Sequence, residues 1–156
     1  MRRVCHAILR GVSEKNVALV RRNYEVINSI GRTGEDFVDP EEVAPDLWAS
    51  LTPDFELHGR ADVPDPQTYR GREASKEFWR MLQEVWAEIR WEPLEFTDLG
   101  DVVVVETRIV GVGRGSEVPI KADETAVFWF REGMILRIQG FATKEEALEA
   151  VEASAG

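Results

Sequence analysis

Four strand-like segments fill the C-terminal part of this chain: Trp91–Leu99, Val102–Val112, Val118–Arg131 and Met134–Ala142. They constrain the fold more than any other feature. β-branched and aromatic residues dominate each run, and the gaps Gly100-Asp101, Arg114-Gly115-Ser116 and Glu132-Gly133 carry turn residues of the hairpin type. The spacing predicts a meander of antiparallel strands. Everything upstream must supply the layer that covers one of its faces.

Hairpin geometry sorts the side chains by face, because residues opposed across a ladder share a side. A two-residue turn at Gly100-Asp101 groups Leu94, Phe96, Val103, Val105, Thr107 and Ile109 on an apolar face. Glu95, Thr97, Val104, Glu106 and Arg108 fall on the other. A turn at Glu132-Gly133 pairs Phe130 with Ile135 and groups Glu124, Ala126, Phe128, Phe130, Ile135, Arg137, Gln139 and Phe141. A two-residue turn at Gly115-Ser116 joins these sets, with Thr107 opposite Glu124 and Val103 opposite Phe128; a one-residue bulge near Gly113 would reverse the assignment. In the first register an acid, a guanidinium and an amide converge on the core face. That fits a lined cavity better than a dry core, since buried charge is costly unless paired or solvated.

Upstream, Ser13 and Glu14 resemble a helix start, and Val17, Val20, Tyr24 and Ile27 recur at helical spacing, predicting a helix from Glu14 to Ile30 stopped by Gly31. Asp39-Pro40 reads as a cap and first helical position for a short helix to Leu51. Phe55–His58 reads as a short strand, Gly59–Thr68 as a polar loop, and Arg72–Ile89 as a helix with Phe78, Leu82, Val85 and Ile89 on one face and Trp79 and Trp86 beside it. Thr143-Lys144-Glu145-Glu146 has capping-box spacing for a last helix. Residues 1–12 read as a flexible lead-in, and 13–153 as one α+β domain.

The chain has 156 residues and a formal net charge of −10. Such a surface repels phosphate backbones and anionic bilayers, so no nucleic-acid or membrane partner is expected. No run is long enough to span a bilayer, and the basic start has too short an apolar part for a signal peptide, so a cytoplasmic protein is expected. Cys5 is the only cysteine, and His6 and His58 the only histidines. An intrachain disulfide and a cysteine metal cluster are thereby excluded, and no metal is expected, although a carboxylate site stays open. No phosphate-cradling glycine loop, nucleophile elbow or dinucleotide fingerprint is present, so no cofactor is expected.

The order helix, helix, strand, helix, four-strand meander, helix resembles the SnoaL-like proteins. These belong to the cone-shaped α+β group that includes ketosteroid isomerase, scytalone dehydratase, limonene epoxide hydrolase and nuclear transport factor 2. The resemblance rests on Tyr69-Arg70-Gly71-Arg72-Glu73 ahead of Phe78-Trp79, on Asp98-Leu99-Gly100-Asp101-Val102-Val103-Val104, on Gly111-Val112-Gly113-Arg114-Gly115-Ser116, on Phe130-Arg131-Glu132-Gly133-Met134-Ile135 and on Glu145-Glu146-Ala147-Leu148-Glu149-Ala150, together spanning Lys15 to Val151. It implies a curved antiparallel sheet wrapped around helices and enclosing a pocket, and often dimerisation. The paired acids and arginine of the epoxide hydrolases find no match, because Glu106 and Arg108 fall on the other face. Nor does an isomerase-type tyrosine with a protonated aspartate.

Two functions follow as alternatives. One is a cofactor-free acid–base enzyme (isomerase, cyclase, dehydratase or hydrolase) acting on a small apolar cyclic molecule; the other is a non-catalytic binding or dimeric interaction module. The candidate catalytic residues are Glu124, Arg137 and His58, with Tyr69, Trp79, Trp86, Thr107, Phe128 and Gln139 around the pocket. There are plainer roles: a structural ion pair within the set Glu124, Arg137 and Gln139, a hydrogen-bonded surface imidazole for His58, and packed aromatics for Tyr69, Trp79 and Trp86. A homodimer through the outer sheet face is expected, because that face carries Val104, Val127, Trp129, Leu136 and Ile138.

Overall fold

The computed structural model describes residues 2–30, 37–60, 64, 66–116 and 118–155, with side chains from residue 14 onward. Parts of the two polar loops expected around Arg32–Asp39 and Gly59–Thr68 therefore lie outside the described residues. The elements run α1 (Arg2–Ile30), α2 (Pro40–Val43), α3 (Pro45–Ala49), β1 (Leu51–His58), β2 (Thr68–Arg70), α4 (Arg72–Val85), β3 (Trp86–Asp98), β4 (Val102–Gly113), β5 (Pro119–Arg131), β6 (Met134–Phe141) and α5 (Lys144–Ala155). The strands form one curved sheet in the order β2-β1-β6-β5-β4-β3. It is antiparallel except where β1 runs parallel to β6, so the sheet is mixed.

The hairpin reading holds for most of the meander. Asp98 pairs with Val103, and Thr107 and Val103 lie opposite Glu124 and Phe128. Glu132 and Gly133 both take positive φ, 52° and 79°, the conformation of a type I′ hairpin turn. Asp39 caps α2 by accepting from the Glu41 N–H, and the Thr143 hydroxyl accepts from the Glu146 N–H at the start of α5.

Two irregularities depart from simple alternation, and both matter. Between Pro93 and Glu95 the β3–β4 register shifts. Leu94 is the extra residue and is exposed instead of packed with Phe96. Between Trp129 and Phe130 the β5–β6 register shifts, so Phe130 pairs with Ile135 but Trp129 pairs with Arg137. Leu136 is the extra residue there. Beyond it, Ile138 faces inward with Phe128, while Arg137, Gln139 and Phe141 turn outward with Trp129, Val127 and Thr125. Such bulges also bend the strands that carry them.

α4 stops at Val85, four residues short of the expected end. Trp86–Arg90 instead pair with the far end of β4, Trp86 opposite Gly113 and Ile89 opposite Gly111. The indole of Trp86 lies over Gly111, where a Cβ would stand 2.9 Å from the ring. Pairing with a long neighbouring strand outweighs helical spacing here. The short helix expected from Pro40 to Leu51 is split at Ala44 by Pro45, which cannot continue a helix. The backbone of α1 is helical from Arg2, continuous through the Ser13 expected as its start and through the stretch expected as a lead-in. It runs to Ile30, and Gly31, expected as its stop, lies outside the described residues.

The inner face of the sheet meets α1, α3 and α4. Val103, Val105, Phe128 and Ile135 are wholly enclosed there, with Val20 and Tyr24 of α1, Trp48 of α3, and Phe55 and Leu57 of β1. Each large apolar side chain contributes about 1.5–3 kcal/mol on burial. Phe96, Val105 and Phe128 all face the helices, with Tyr24 packed edge-on against Phe96 and tilted against Phe128. Asn28 of α1 both donates to the Trp91 carbonyl and accepts from the Trp91 N–H, at 2.8 Å each. It thereby satisfies backbone groups of edge strand β3. On the outer face, α5 covers a second cluster of Val104, Val127, Trp129 and Phe141, with Ala147 buried against it.

Candidate functional site

α1, α3, α4 and the inner ends of β1 and β6 enclose a cavity of about 40 Å³. Its walls are Val26 and Ile27 of α1, Leu47 and Trp48 of α3, Leu51, Phe55 and Leu57 of β1, Trp79 of α4 and Ile138 of β6, with Pro40 and Ala44 at the α2 end. Only Asn23 and Ser75 bring polar side chains other than indole N–H groups. The Ser75 hydroxyl already donates to the Arg72 carbonyl, 2.6 Å away. About 10–15 Å³ of such space holds one water, so the cavity is roomy by the standard of a packed interior but smaller than a ring. A second void of about 10 Å³, at the lower limit for one water, is also lined by Trp79. It is bordered by Ile27, Ile30, Leu82, Trp86, Ile89 and Trp91.

The roof is clamped. Lys76 of α4 reaches Glu41 at 2.6 Å and Asp39 at 3.2 Å, and its ammonium sits 5.1 Å from the Trp48 ring centroid. Hydrogen bonding to Glu41, followed by Asp39, holds its pKa above the ordinary lysine value. Two turns on, the Gln83 amide makes paired hydrogen bonds of 2.8 and 2.9 Å with the backbone of Val38.

Elsewhere on the inner face, outside the lining of the cavity, lies a polar array. The hydroxyls of Tyr24 and Thr107 are 2.9 Å apart, both residues buried. Burial, and then the charge of Glu124, push the Tyr24 phenol well above its ordinary range, with the Thr107 hydrogen bond acting the other way. It is therefore a neutral hydroxyl at neutral pH. Glu124, opposite Thr107 in the ladder, lies across Gly140, where a Cβ would stand 2.7 Å from the Glu124 Cδ. The glycine makes the room for the carboxylate. Arg60 approaches it at 4.0 Å, and the Glu124 side chain is 15% exposed.

The expected site residues divide between the two faces. Glu124, Thr107 and Phe128 are on the inner face; Trp79 lines the cavity; Tyr69 packs against the core with its ring 5.9 Å from Phe78. Trp86 borders the smaller void from the first residue of β3, not from a helix. Arg137, Gln139 and His58 do not join Glu124. The Leu136 bulge turns Arg137 and Gln139 outward, where the guanidinium lies 4.5 Å from the Trp129 ring centroid and donates to Gln139. Burial lowers the pKa of Arg137, partly opposed by the charge of Glu56. His58 pairs with Gln139 across the parallel ladder and binds Glu56 at 3.2 Å on that same outer side. Glu56 also accepts from Arg70 at 3.1 Å, and these partners, His58 first, lower its pKa. The convergence of Glu124, Arg137 and Gln139 on one face is thus corrected to a separation across the thickness of the sheet.

Tyr24, Asn23 and Ser75 belong to the inner site and do not stand out as such in the sequence. A signal exists for two of them: Asn23 lies one turn from Val20 and Ile27, and Ser75 one turn before Phe78 and Trp79, so each shares an apolar stripe. Among the described residues, no group of three His, Cys, Asp or Glu is placed to hold a metal ion, and no helix is long and apolar enough to cross a membrane.

With this geometry in view, residues 38–138 match the SnoaL-like domain. The chain belongs to the SnoaL-like family. Solved structures of the same fold include an NTF2-like protein of unknown function from Burkholderia pseudomallei, 20% identical, covering 86% of this chain and 95% of its own, with a TM-score of 0.66. An NTF2-like protein from Anabaena variabilis is also 20% identical, covering 83% and 90%, with a TM-score of 0.64. TerC, co-crystallised with polyporic acid, is 20% identical, covering 88% and 98%, with a TM-score of 0.64. No curated protein sequence matches the chain. At these identities the likeness shows the fold: this SnoaL-like domain is an α+β cone with an interior cavity, and its chemistry is read from its own residues.

Proposed function

We propose that this SnoaL-like domain binds a small, uncharged, mainly apolar molecule in the cavity between α1, α3, α4 and β1, without a cofactor. The observation that carries the reading is the wall chemistry. The cavity lies beneath a clamped roof, and only Asn23 and Ser75 add polar side chains beyond the indoles. An apolar void favours apolar guests, and a few placed polar groups orient them. A ligand on a protein of the same fold, polyporic acid on TerC, supports a small organic guest.

Xenon under pressure is the direct test. It should shift nuclei of Leu57, Ile138 and Ala44 saturably. A Leu47→Trp variant that still folds should lose the effect. Xenon shifts spread evenly over the surface would sink the reading.

A second reading adds acid–base catalysis, and one observation favours it: Glu124 is held over Gly140 beside the Tyr24–Thr107 pair, with a proton acceptor and a neutral donor on the same inner face. The reaction would be an isomerisation, cyclisation, dehydration or hydrolysis of a cyclic substrate. Glu124→Gln should then abolish turnover while leaving xenon binding and the melting temperature nearly unchanged. Gly140→Ala, which displaces the carboxylate, should reduce turnover as well. Retained turnover in Glu124→Gln would leave binding as the function.

The expected cytoplasmic homodimer has weaker support. α5 covers Val104, Val127 and Trp129, and Ile138 faces inward, so a dimer through the outer face would use the rest of that surface. There Arg108 pairs with Asp123 and Lys144 with Glu106. Sedimentation at micromolar concentration, in low and high salt, tests it.

A further inference from the structure

Arg137 stands apart from its neighbours in the sheet. Arg70, Arg108 and Arg131 each face a carboxylate: Glu56, Asp123 and Asp54 respectively. Arg137 makes no ion pair among the described residues. Its Nη2 donates to Gln139, its guanidinium carbon lies 4.5 Å from the Trp129 ring centroid, and its Nε is buried without a hydrogen-bond partner. A partly desolvated charge without a counter-ion is costly, and a buried N–H left unbonded adds to that cost.

The acid that would answer this cation is held away from it. Glu56 stands beside Arg137 in the parallel ladder. Both of its carboxylate oxygens are engaged elsewhere, Oε2 with the His58 Nε2 at 3.2 Å and Oε1 with the Arg70 Nε at 3.1 Å. His58 is braced in turn by the Thr68 hydroxyl, 3.4 Å from its Nδ1. Strand pairing sets Arg70, Glu56, Arg137 and Trp129 in one row across β2, β1, β6 and β5, and Thr68, His58, Gln139 and Val127 in the next. In the first row two guanidiniums share one carboxylate. That leaves a surplus positive charge in a chain of net charge −10. In the second row the Gln139 Oε1 accepts from Arg137, so its amide NH2 remains a donor beside the guanidinium.

We propose that Arg137 and Gln139 form a receptor for a small monocarboxylate on the outer face of the sheet. This site is separate from the interior cavity and does not depend on what the cavity holds. A planar carboxylate matches two donors set side by side. One oxygen takes the guanidinium and the other the amide, while Trp129 backs the guanidinium. A single surplus charge next to Glu56 favours a monoanion over a phosphate dianion, which Glu56 repels more strongly. The bound acid supplies the counter-ion that Glu56, held by His58 and Arg70, does not.

The test uses the whole chain labelled with nitrogen-15 and followed by NMR at neutral pH, while sodium acetate replaces sodium chloride at constant ionic strength. The Arg137 Nε–H and the Trp129 indole N–H are assigned through Arg137→Lys and Trp129→Phe. Both should shift saturably with acetate, and the Nε–H groups of Arg70, Arg108 and Arg131 should not. Arg137→Gln should abolish the Trp129 shift. Glu56→Gln removes the competing charge and should tighten acetate binding by up to about fivefold. Shifts that rise without saturating, or equally at every arginine, would reduce the site to ordinary screening and overturn the receptor. A tighter response to phosphate than to acetate would overturn the ligand class. If acetate leaves Arg137 unmoved while Arg137→Gln breaks up a dimer in sedimentation, the carboxylate belongs to a second copy of the chain and the small-acid receptor falls. The titration of the parent protein decides the matter even where a variant fails to fold.

Discussion

The two faces of the same sheet are built from alternate residues of the same strands, yet they solve opposite problems. The inner face is an apolar lining under α1, α3 and α4, interrupted by one polar array of Tyr24, Thr107 and Glu124. The outer face is divided: an apolar patch under α5 around Trp129 and Val127, and a set of polar and charged groups including Arg137, Glu56, His58 and Arg70. The inner face can hold a cavity because helices roof it on several sides. The outer face, with one short helix, fills its patch and leaves the rest to water. A polar residue on the inner face is therefore a candidate for function, whereas one on the outer face, Arg137 apart, has solvent or an ion pair as sufficient reason.

The largest break in that comparison is Phe128→Ala. The ring is buried to 1% exposure against Tyr24 and the helices, and its removal should cost about 3–5 kcal/mol, read as a lower urea midpoint at unchanged slope. A loss below about 1 kcal/mol would mean that the inner face is loosely packed. Tyr24→Phe is next. It keeps the ring and removes the hydroxyl bonded to Thr107, so stability should fall by about 1 kcal/mol. Any turnover that depends on the array should fall further than stability does. On the outer face, Arg137→Met should change stability by less than about 1 kcal/mol in either direction. The guanidinium Nε is buried without a hydrogen-bond partner, and a thioether can keep the contact with Trp129. A loss of several kcal/mol would show that the outer cluster is structural.

Much of this architecture is legible in the chain. The turns at Gly100-Asp101, Gly115-Ser116 and Glu132-Gly133, with period-two alternation, place Phe96, Val105 and Phe128 on the inner face, where they lie, and the cap at Thr143 marks α5. The site is less legible, and one residue explains most of it. A bulge changes register without changing composition: Leu136 looks like any strand residue, yet it reverses the faces of Arg137, Ile138 and Gln139. The same holds for Leu94. Trp86 reads as helical because Trp79, Leu82 and Trp86 satisfy helical spacing, while the β4 residues that claim Trp86 lie far downstream. Tyr24 reads as core from α1 alone; only its meeting with Thr107, 83 residues away, makes its hydroxyl matter.

The smallest effect concerns a pair at the rim, where Arg131 at the end of β5 reaches over β6 to Asp54 in β1. Two hydrogen bonds, of 2.6 and 3.0 Å, join the guanidinium to the carboxylate. The bond to Arg131 is the largest cause of the fall in the Asp54 pKa from its ordinary 3.8 to about 2. A carboxyl whose pKa is lower in the folded than in the unfolded chain binds fewer protons when folded, so stability rises with pH across that interval. The contribution is complete above about pH 5 and is lost as the pH falls from there toward 2. Both groups are well exposed, so the gain is that of a surface pair and is weakened by salt. Asp54→Asn should lower the urea midpoint slightly at pH 6 and low ionic strength. The difference from the parent should shrink through pH 4 and vanish near pH 2. A difference that stays constant from pH 6 to pH 2 would assign it to the shape of the side chain, not its charge. The rim would then owe nothing to this pair, and the contrast between an inner face set by packing and an outer face set by charge would have to rest on the remaining outer pairs, Arg70 with Glu56, Arg108 with Asp123 and Lys144 with Glu106.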